Sequence, residues 1–312
     1  MVNSRQATSA DTSAWRRLVL GVLVLVISVS VQPLGSRIVS AQGTGWECQP
    51  RAAVNATPVG TPAAMNQDSV AFPSEGGDLT IFAAASLTDA FEAIEQELEA
   101  ANPNLSITYN FGGSQALVTQ LEEGAQADVF ASANMTQMEA AMEANLVASA
   151  PVPFVHNRLA IVTPADNPAD IAGAADLGKE GILLVLAQAE VPAGRYARES
   201  ACQMASDAAT YGPDFVNRVA ANVVSEEEDV RDVLAKVALG EADAGIVYVS
   251  DAAAAGDQVH VIDIPDDVNV IATYPVAVLA QGDQVLSSAF VSYLLSDEGQ
   301  ALLERFGFQP VE

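Results

Sequence analysis

Cysteine, histidine and basic residues are all scarce in this sequence, and each shortage excludes a class of function. The 312 residues include two cysteines and two histidines. Cys48 and Cys202 stand in neither a CxxC motif nor any other spacing that a metal site needs, which excludes a zinc site. Lysine and arginine total 13 against 40 aspartates and glutamates, a formal net charge of -27. Because such a chain repels polyanions, we do not expect nucleic acid as a partner.

A long hydrophobic run is also missing, although a short one lies near the N-terminus. Residues 18–31 are apolar and uncharged but too few to span a bilayer comfortably, and arginines precede them. The small residues of the VSA triplet at 39–41 suit cleavage by signal peptidase after Ala41. We therefore predict an exported protein with a signal peptide at residues 1–41, and the arginine pair at 16–17 is a weak feature of twin-arginine export. An uncleaved N-terminal anchor or a buried core helix is the alternative interpretation.

The segment after the predicted cleavage point has the composition of a spacer. Residues 42–77 are rich in Gly, Pro, Ala, Thr and Asn without a hydrophobic period, which predicts a flexible linker. The sequence before Cys48 lacks the small apolar residues expected ahead of a lipidated cysteine. Export permits a disulfide between Cys48 and Cys202. Two separate thiols are equally compatible with the sequence, which does not give the distance between them.

From residue 79 onward, short apolar runs alternate with helical stretches, the pattern of α/β architecture. Residues 79–83 have the pattern of a strand, and residues 87–101 that of a helix with one buried stripe. Ser86 and Asp89 have the spacing of a capping box at the start of this helix. A hydroxyl and several free amides at a helix N-terminus suit an anion.

The same strand–serine–helix unit recurs, and two further helix starts follow. Residues 105–111 alternate like a strand, and Ser114 opens the helix after them. Helices are also expected to begin at residues 192–194 and 228–231, the second ending at Gly240. In an open α/β sheet the loops at the carboxyl ends of strands converge on one cleft, so several helix starts can share one ligand.

Other interpretations of these residues are open from the pattern alone. Serine is a common N-cap, so Ser86 or Ser114 can be only a cap, and Tyr248 would usually be a strand aromatic. A hydrolase with either serine as nucleophile is a second alternative. The sequence has no G-x-S-x-G motif, and its two histidines, His156 and His260, stand in no recognisable motif. We therefore do not expect an enzyme, and an interaction or adhesion domain is the remaining class.

Several motifs, in order, resemble those of periplasmic molybdate-binding proteins, a family of bacterial solute-binding proteins. The resemblance covers residues 78–312. Its motifs in this chain are TIFAAASLTDA at 80–90, FGGSQAL at 111–117, GAQADVFASA at 124–133, VPAGRYA at 191–197, EDVR at 228–231 and GIVYVSDA at 245–252. The closing LSDEGQ at 295–300 and FGF at 306–308 resemble the C-termini of binding proteins generally.

The resemblance implies a fold of two α/β lobes, the type II periplasmic-binding-protein fold with two hinge crossings. Lobe one is expected to comprise residues 78–155 and 275–312, and lobe two residues 156–274. We place the crossings near residues 156–158 and 271–275, where apolar strands begin. Closure of the lobes would bury the ligand and present a closed shape to a membrane permease.

The resemblance also implies a set of ligand residues and a role. The hydroxyls of Ser86, Ser114 and Tyr248 and the main-chain amides near Ala193 and Val230 are expected to bind the oxyanion, with molybdenum held only as that oxyanion. No cofactor and no catalytic residue is implied. The expected protein is a monomer in the periplasm or at the extracytoplasmic face of the membrane, delivering molybdate or tungstate to the permease of an ABC transporter. A binder of sulfate, phosphate or another small solute is the alternative within the class.

Overall fold

The chain folds around a mixed sheet with helices packed against it. The computed structural model describes Trp46, Cys48 and residues 71–311, so the predicted signal peptide lies outside the described residues. The strands are β1 Gly77–Ala84, β2 Leu105–Gly112, β3 Val129–Ala131, β4 Val152–Pro164, β5 Leu184–Ala187, β6 Val223–Glu227, β7 Ala244–Tyr248, β8 Val259–Asp263, β9 Ile271–Val278 and β10 Gln309–Pro310. The helices are α1 Thr88–Ala101, α2 Ser114–Glu122, α3 Met135–Glu143, α4 Pro192–Ala205, α5 Ala208–Tyr211, α6 Phe215–Asn222, α7 Val230–Ala238, α8 Val249–Ala255, α9 Gln284–Leu294 and α10 Asp297–Arg305.

Strand pairing divides the sheet into two groups, which we call lobe one and lobe two. In lobe one, β1 pairs in parallel with β2 and β3, and β9 is antiparallel to β3. In lobe two, β5 pairs in parallel with β6 and β7, and β8 pairs with the end of β4. Parallel strands joined through helices are the α/β architecture that the alternating pattern predicted.

Strand β4 belongs to both lobes. Its first half is antiparallel to β9 as far as Arg158, which lies opposite Ile271. From Leu159, opposite Tyr248, it pairs with β7 instead. The predicted crossings at residues 156–158 and 271–275 lie next to this change of partner. The two-lobed fold is therefore confirmed, and the residues at which the lobes divide stay a prediction.

The helices bury the stripes that their spacing predicts. In α7 the buried positions are Val230, Val233, Leu234 and Val237, all on one face, and Gly240 follows with a positive φ of 73°. Burial of a side chain of this size contributes about 1.5–3 kcal/mol, so the stripe fixes how the helix lies on the sheet. Its first turn is thereby held in place, with Val230 at the start.

One predicted boundary is wrong. The chain does not enter α1 directly from β1: a 3-10 turn at Ala85–Leu87 intervenes, and α1 begins at Thr88 with Leu87 as its N-cap. Ser86 therefore lies inside the turn, and the capping box predicted for Ser86 and Asp89 does not form.

The N-terminal segment is attached to lobe two at the positions that the structure describes. Cys48 and Cys202 form a disulfide, with Cα atoms 5.4 Å apart, which resolves the two alternatives left by the sequence. Trp46 packs on the core, and the Arg198 guanidinium lies 5.1 Å from the centre of its ring. A freely solvated spacer therefore does not describe Trp46 and Cys48. Among the described residues, no helix is long and apolar enough to cross a membrane.

Candidate functional site

The five predicted ligand residues line a single cavity between the lobes. Ser86 and Ser114 reach it from lobe one, and Ala193, Val230 and Tyr248 reach it from lobe two. The cavity is small in this conformation. It therefore suits a compact solute better than a sugar or a peptide. The other lining residues are Ala84, Ala85, Gly112, Gly113, Ala133, Val191, Pro192 and Asp229.

Ser86 is positioned by the 3-10 turn at the carboxyl end of β1. Its side chain is buried and makes no capping bond to the helix that follows. The hydroxyl instead lies 2.8 Å from the Tyr274 hydroxyl of β9. The interpretation of Ser86 as only a helix cap is therefore wrong.

Ser114 is the first residue of α2, as predicted, but it is not the N-cap. Gly113 occupies the N-cap position in an extended conformation, and no side chain caps the helix. The Ser114 hydroxyl oxygen accepts a hydrogen bond of 3.1 Å from the Ala133 amide. Because a hydroxyl has one hydrogen to donate and this bond uses only its acceptor capacity, the Ser114 hydrogen is left for the cavity.

The first turns of two helices in lobe two face the cavity. In α4, Pro192 is the first residue and the N-cap Val191 has no side chain able to cap the amides. In α7, the Asp229 carboxylate accepts hydrogen bonds from the Arg231 and Asp232 amides. First-turn amides have no intrahelical acceptor, so the Ala193 and Val230 amides are not used by these caps or by their own helices. Amides of this kind attract an anion, and the helix dipole adds to the effect.

Tyr248 ends β7 and is almost completely buried. Its hydroxyl has no well-directed hydrogen bond to any of the described residues, which is unusual for a buried polar group. Burial, and then the nearby Tyr274 hydroxyl, raise the pKa of Tyr248 well above its usual value. The phenol therefore stays protonated and can donate to a solute in the cavity.

The acidic residues beside Val230 are largely taken up by other contacts. Glu226 forms an ion pair with Arg198, and Glu227 one of 2.7 Å with Lys236. Asp229 is the cap of α7 described above. The cluster therefore adds less negative potential to the cavity than its sequence suggests.

Arg231 joins the two lobes next to the cavity. Its guanidinium forms an ion pair with Asp89 at the start of α1 in lobe one. Its Nε also lies 2.8 Å from the Asp251 Oδ1 in lobe two, an ion pair rather than a well-directed hydrogen bond. Burial raises the pKa of Asp251 to about 6, although Arg231 opposes the rise. With two carboxylates beside it, the Arg231 guanidinium is already neutralised.

Three further hydrogen bonds, none of them an ion pair, join the lobes around the same opening. The Gln115 amide donates to the Glu228 carbonyl at 3.0 Å, and the Gln137 amide to the Glu190 carbonyl at 3.3 Å. The Arg195 guanidinium donates to the Thr136 hydroxyl at 2.9 Å. The described conformation is therefore a closed one, with lobe one and lobe two in contact across the cavity.

The lining contains no lysine, arginine or histidine among the described residues. Neither serine thus has a histidine partner in the cavity of the kind that a serine hydrolase needs. Residues 71–311, with Trp46 and Cys48, contain no group of three or more His, Cys, Asp or Glu side chains that could hold a metal ion. What the cavity offers chemically is a set of hydrogen-bond donors without a formal positive charge.

Several contributors were not predicted. Gly113 and Ala133 stand inside the motifs quoted above, so the signal was present but was not interpreted. Tyr274 contacts Ser86, and Asn157 contacts Tyr274. Both residues stand in strands, where no sequence feature indicates a role in the site. Arg231 stands within the EDVR motif, but its partner Asp89 is in the other lobe.

Fold and cavity together define a two-lobed solute-binding protein. The chain belongs to the bacterial extracellular solute-binding protein family, whose model matches residues 79–309. The predicted resemblance is thereby confirmed at the level of the family. The chain is 40% identical over 242 residues to the molybdate-binding protein ModA of Mycobacterium tuberculosis (strain ATCC 25618 / H37Rv), which covers 77% of this chain and 88% of that relative.

Solved structures agree with this assignment. One of them is described as the substrate binding domain of a molybdenum ABC transporter from Clostridium difficile. It is 34% identical to this chain, with a TM-score of 0.57, and the match covers 75% of this chain and 99% of that one. The sulfate-binding protein SubI of Mycobacterium tuberculosis H37Rv has a TM-score of 0.67 over 75% of this chain and 87% of that one. At 21% identity, SubI is similar in fold alone.

Proposed function

We propose that this chain is an exported binding protein that captures molybdate or tungstate and delivers it to the permease of an ABC transporter. The observation that carries the proposal is the convergence of Ser86, Ser114, Ala193, Val230 and Tyr248 on one small cavity. These residues come from five separate places in the chain. The relative that is 40% identical over most of the chain is named a molybdate-binding protein, which supports the same ligand.

The proposed binding mode needs no positive side chain. Hydroxyls from lobe one, two first-turn amides and the Tyr248 hydroxyl would donate to the oxygens of a tetrahedral anion. Hydrogen bonds to a charged acceptor contribute about 1.5–3 kcal/mol each, so several together give tight binding. The helix starts supply the positive potential. The contacts between lobes would then close over the bound ion.

Selectivity against phosphate follows from the hydrogen that phosphate carries. Near neutral pH phosphate carries at least one hydrogen, which needs an acceptor, whereas the proposed ligands are all donors. The Asp229 carboxylate, which also lines the cavity, is an exception, and its Oδ1 already accepts from two amides. An unpaired hydrogen in the closed cavity would cost about 1–3 kcal/mol.

Selectivity against sulfate follows from size. Sulfate is fully deprotonated like molybdate but smaller, so donors fixed on separate helix starts would be too far away to satisfy all four of its oxygens. The same argument favours tungstate, which has the charge and shape of molybdate. This part of the proposal rests on the family resemblance.

Calorimetry tests the proposal. Molybdate, tungstate, sulfate and phosphate are titrated into the purified protein at constant ionic strength, with a neutral sugar as the control. We expect binding heats for molybdate and tungstate and much weaker binding of the other two anions. Sulfate binding of comparable affinity would replace the proposal with a general oxyanion binder, and the absence of binding by any anion would overturn it.

A further inference from the structure

Tyr274 lies at the centre of a buried polar cluster that the predicted ligand set does not include. It stands on β9, has no exposed surface, and packs edge-on against Tyr248, Phe154 and Phe308. Its hydroxyl is 2.8 Å from the Ser86 hydroxyl and 3.5 Å from the Asn157 Nδ2. The cluster therefore connects a predicted ligand to the two strands at which the lobes meet.

The donors and acceptors of Asn157 favour one direction for the hydrogen bonds of this cluster. The Asn157 Oδ1 accepts from the Arg158 amide at 2.9 Å, and its Nδ2 donates to the Ser250 hydroxyl at 2.9 Å. These two bonds assign the orientation of the amide group. Since Nδ2 can only donate, the weaker contact at 3.5 Å has the Tyr274 oxygen as its acceptor.

The next hydrogen bond in the cluster joins Tyr274 and Ser86. Either hydroxyl could donate in the contact between Tyr274 and Ser86. Because an Asn157 donor already faces the Tyr274 oxygen and the Ser86 oxygen is an acceptor at hydrogen-bond distance, we assign Tyr274 as the donor. Burial raises the pKa of Tyr274, so its hydrogen is retained. Ser86 accepts from Tyr274 and keeps its own hydrogen for the cavity, just as Ser114 does by accepting from the Ala133 amide.

We propose that Tyr274 is a positioning residue for anion binding, because its hydroxyl holds Ser86 in the orientation in which Ser86 donates to the bound oxyanion. The inference rests on the proposed function, since it explains how one proposed ligand residue, Ser86, is oriented. Tyr274 itself does not touch the anion. Asn157 and Ser250 support it from β4 and α8, on either side of the junction between the lobes.

The test is Tyr274→Phe, which removes the hydroxyl and keeps the ring. We expect molybdate affinity to fall about tenfold in calorimetry, since Ser86 loses the partner that orders it. Tyr293→Phe is the matched control. Tyr293 is also a buried tyrosine, and its hydroxyl donates to Glu97 rather than to a group at the cavity, so its loss should leave affinity unchanged.

A double-mutant cycle separates positioning from packing. If Tyr274 acts through Ser86, Tyr274→Phe should cause no further loss of affinity in the Ser86→Ala background. Additive losses, or an unchanged affinity for folded Tyr274→Phe, would overturn the inference. Should that variant not fold, Ser250→Ala tests the network from its far end. We expect a loss of about threefold that also disappears in the Ser86→Ala background, and unchanged affinity would count against the network.

The unaltered protein is titrated in the same series, which separates this inference from the proposed function. If it binds sulfate and not molybdate, the proposed function alone fails, and the same cycle is run with sulfate. If it binds no oxyanion, both proposals are overturned.

Discussion

The two lobes present chemically different donors to the same cavity. Lobe one supplies the hydroxyls of Ser86 and Ser114, each oriented by a further hydrogen bond. Lobe two supplies amides at the starts of α4 and α7, with the Tyr248 hydroxyl beside them. A side-chain donor depends on residue identity, whereas a main-chain donor depends only on where a helix begins. Apart from Tyr248, the two halves of the site should therefore respond to different kinds of substitution.

Removal of both hydroxyls of lobe one should have the largest effect. Each serine is expected to make one hydrogen bond to the charged ligand, and its loss costs about 1.5–3 kcal/mol, or roughly tenfold to a hundredfold in affinity. The two lie on different turns, so the double variant Ser86→Ala/Ser114→Ala should lose about a hundredfold to ten-thousandfold. Calorimetry with molybdate measures the loss.

A stability measurement accompanies this prediction. Ser114→Ala leaves the buried Ala133 amide without its acceptor, and Ser86→Ala leaves the buried Tyr274 hydroxyl without its partner, so each substitution should also lower the unfolding temperature. Ser287→Ala is the control, because this buried hydroxyl bonds the Asp128 carbonyl away from the cavity and should not alter affinity. If the single serine variants bind molybdate with normal affinity, the hypothesis that these hydroxyls bind the anion is wrong.

In lobe two the informative substitution is Val230→Pro, which deletes an amide hydrogen without deleting a polar side chain. Proline is favoured at the first position of a helix, and the preceding Asp229 has φ -149° and ψ 177°, an extended conformation that proline accepts. We expect affinity to fall about tenfold to a hundredfold, since one hydrogen bond to the charged ligand is lost. Titration and circular dichroism together check affinity and fold.

Val230→Ala is the matched variant for this position. It keeps the amide but removes buried methyl groups, so it should lower stability while affinity stays close to that of the unaltered protein. If the alanine and proline variants lose affinity equally, the Val230 side chain rather than its amide matters, and the contrast between the lobes does not hold.

The contrast also explains what the sequence could predict. Helix starts at Ser114, Pro192 and Val230 are local patterns, and all were placed correctly. The error at Ser86 arose because a capping box and a 3-10 turn ending in a helix have the same local spacing. The residue expected to complete that box, Asp89, is instead paired with Arg231 from the other lobe.

Contacts between residues far apart in the chain have no local sequence pattern that predicts them. Ser86 and Tyr274 are 188 positions apart, and the cysteines 154 apart, so their contacts depend on the whole fold. Composition and spacing left the disulfide open for this reason. The resemblance implied the five predicted ligand residues as a set, but it did not indicate the buried groups that contact them.

The smallest effect in the comparison of the two lobes concerns a close approach between them at Gly113. A Cβ atom there would lie 2.6 Å from the Glu228 carbonyl oxygen of lobe two and 2.5 Å from the Gln115 side-chain amide, which itself donates to that carbonyl. The backbone of Gly113, with φ -60° and ψ 132°, is one that any residue adopts, so Gly113→Ala introduces no backbone strain but a clash with Gln115 and, between the lobes, with Glu228. Overpacking of this kind costs about 1–3 kcal/mol, and we expect molybdate affinity to fall about tenfold.

Gly112→Ala is the control for this clash, because its Cβ would meet only the Leu117 side chain at 3.6 Å, an ordinary contact. Small-angle scattering with saturating molybdate should show a more open shape for Gly113→Ala than for Gly112→Ala. The Gly113 substitution keeps every proposed donor, so its loss of affinity would come from the clash at the contact between Gln115 and Glu228. Equal affinity and equal shape for the two variants would mean that Glu228 can move away, and that close contact at this point is not needed for binding.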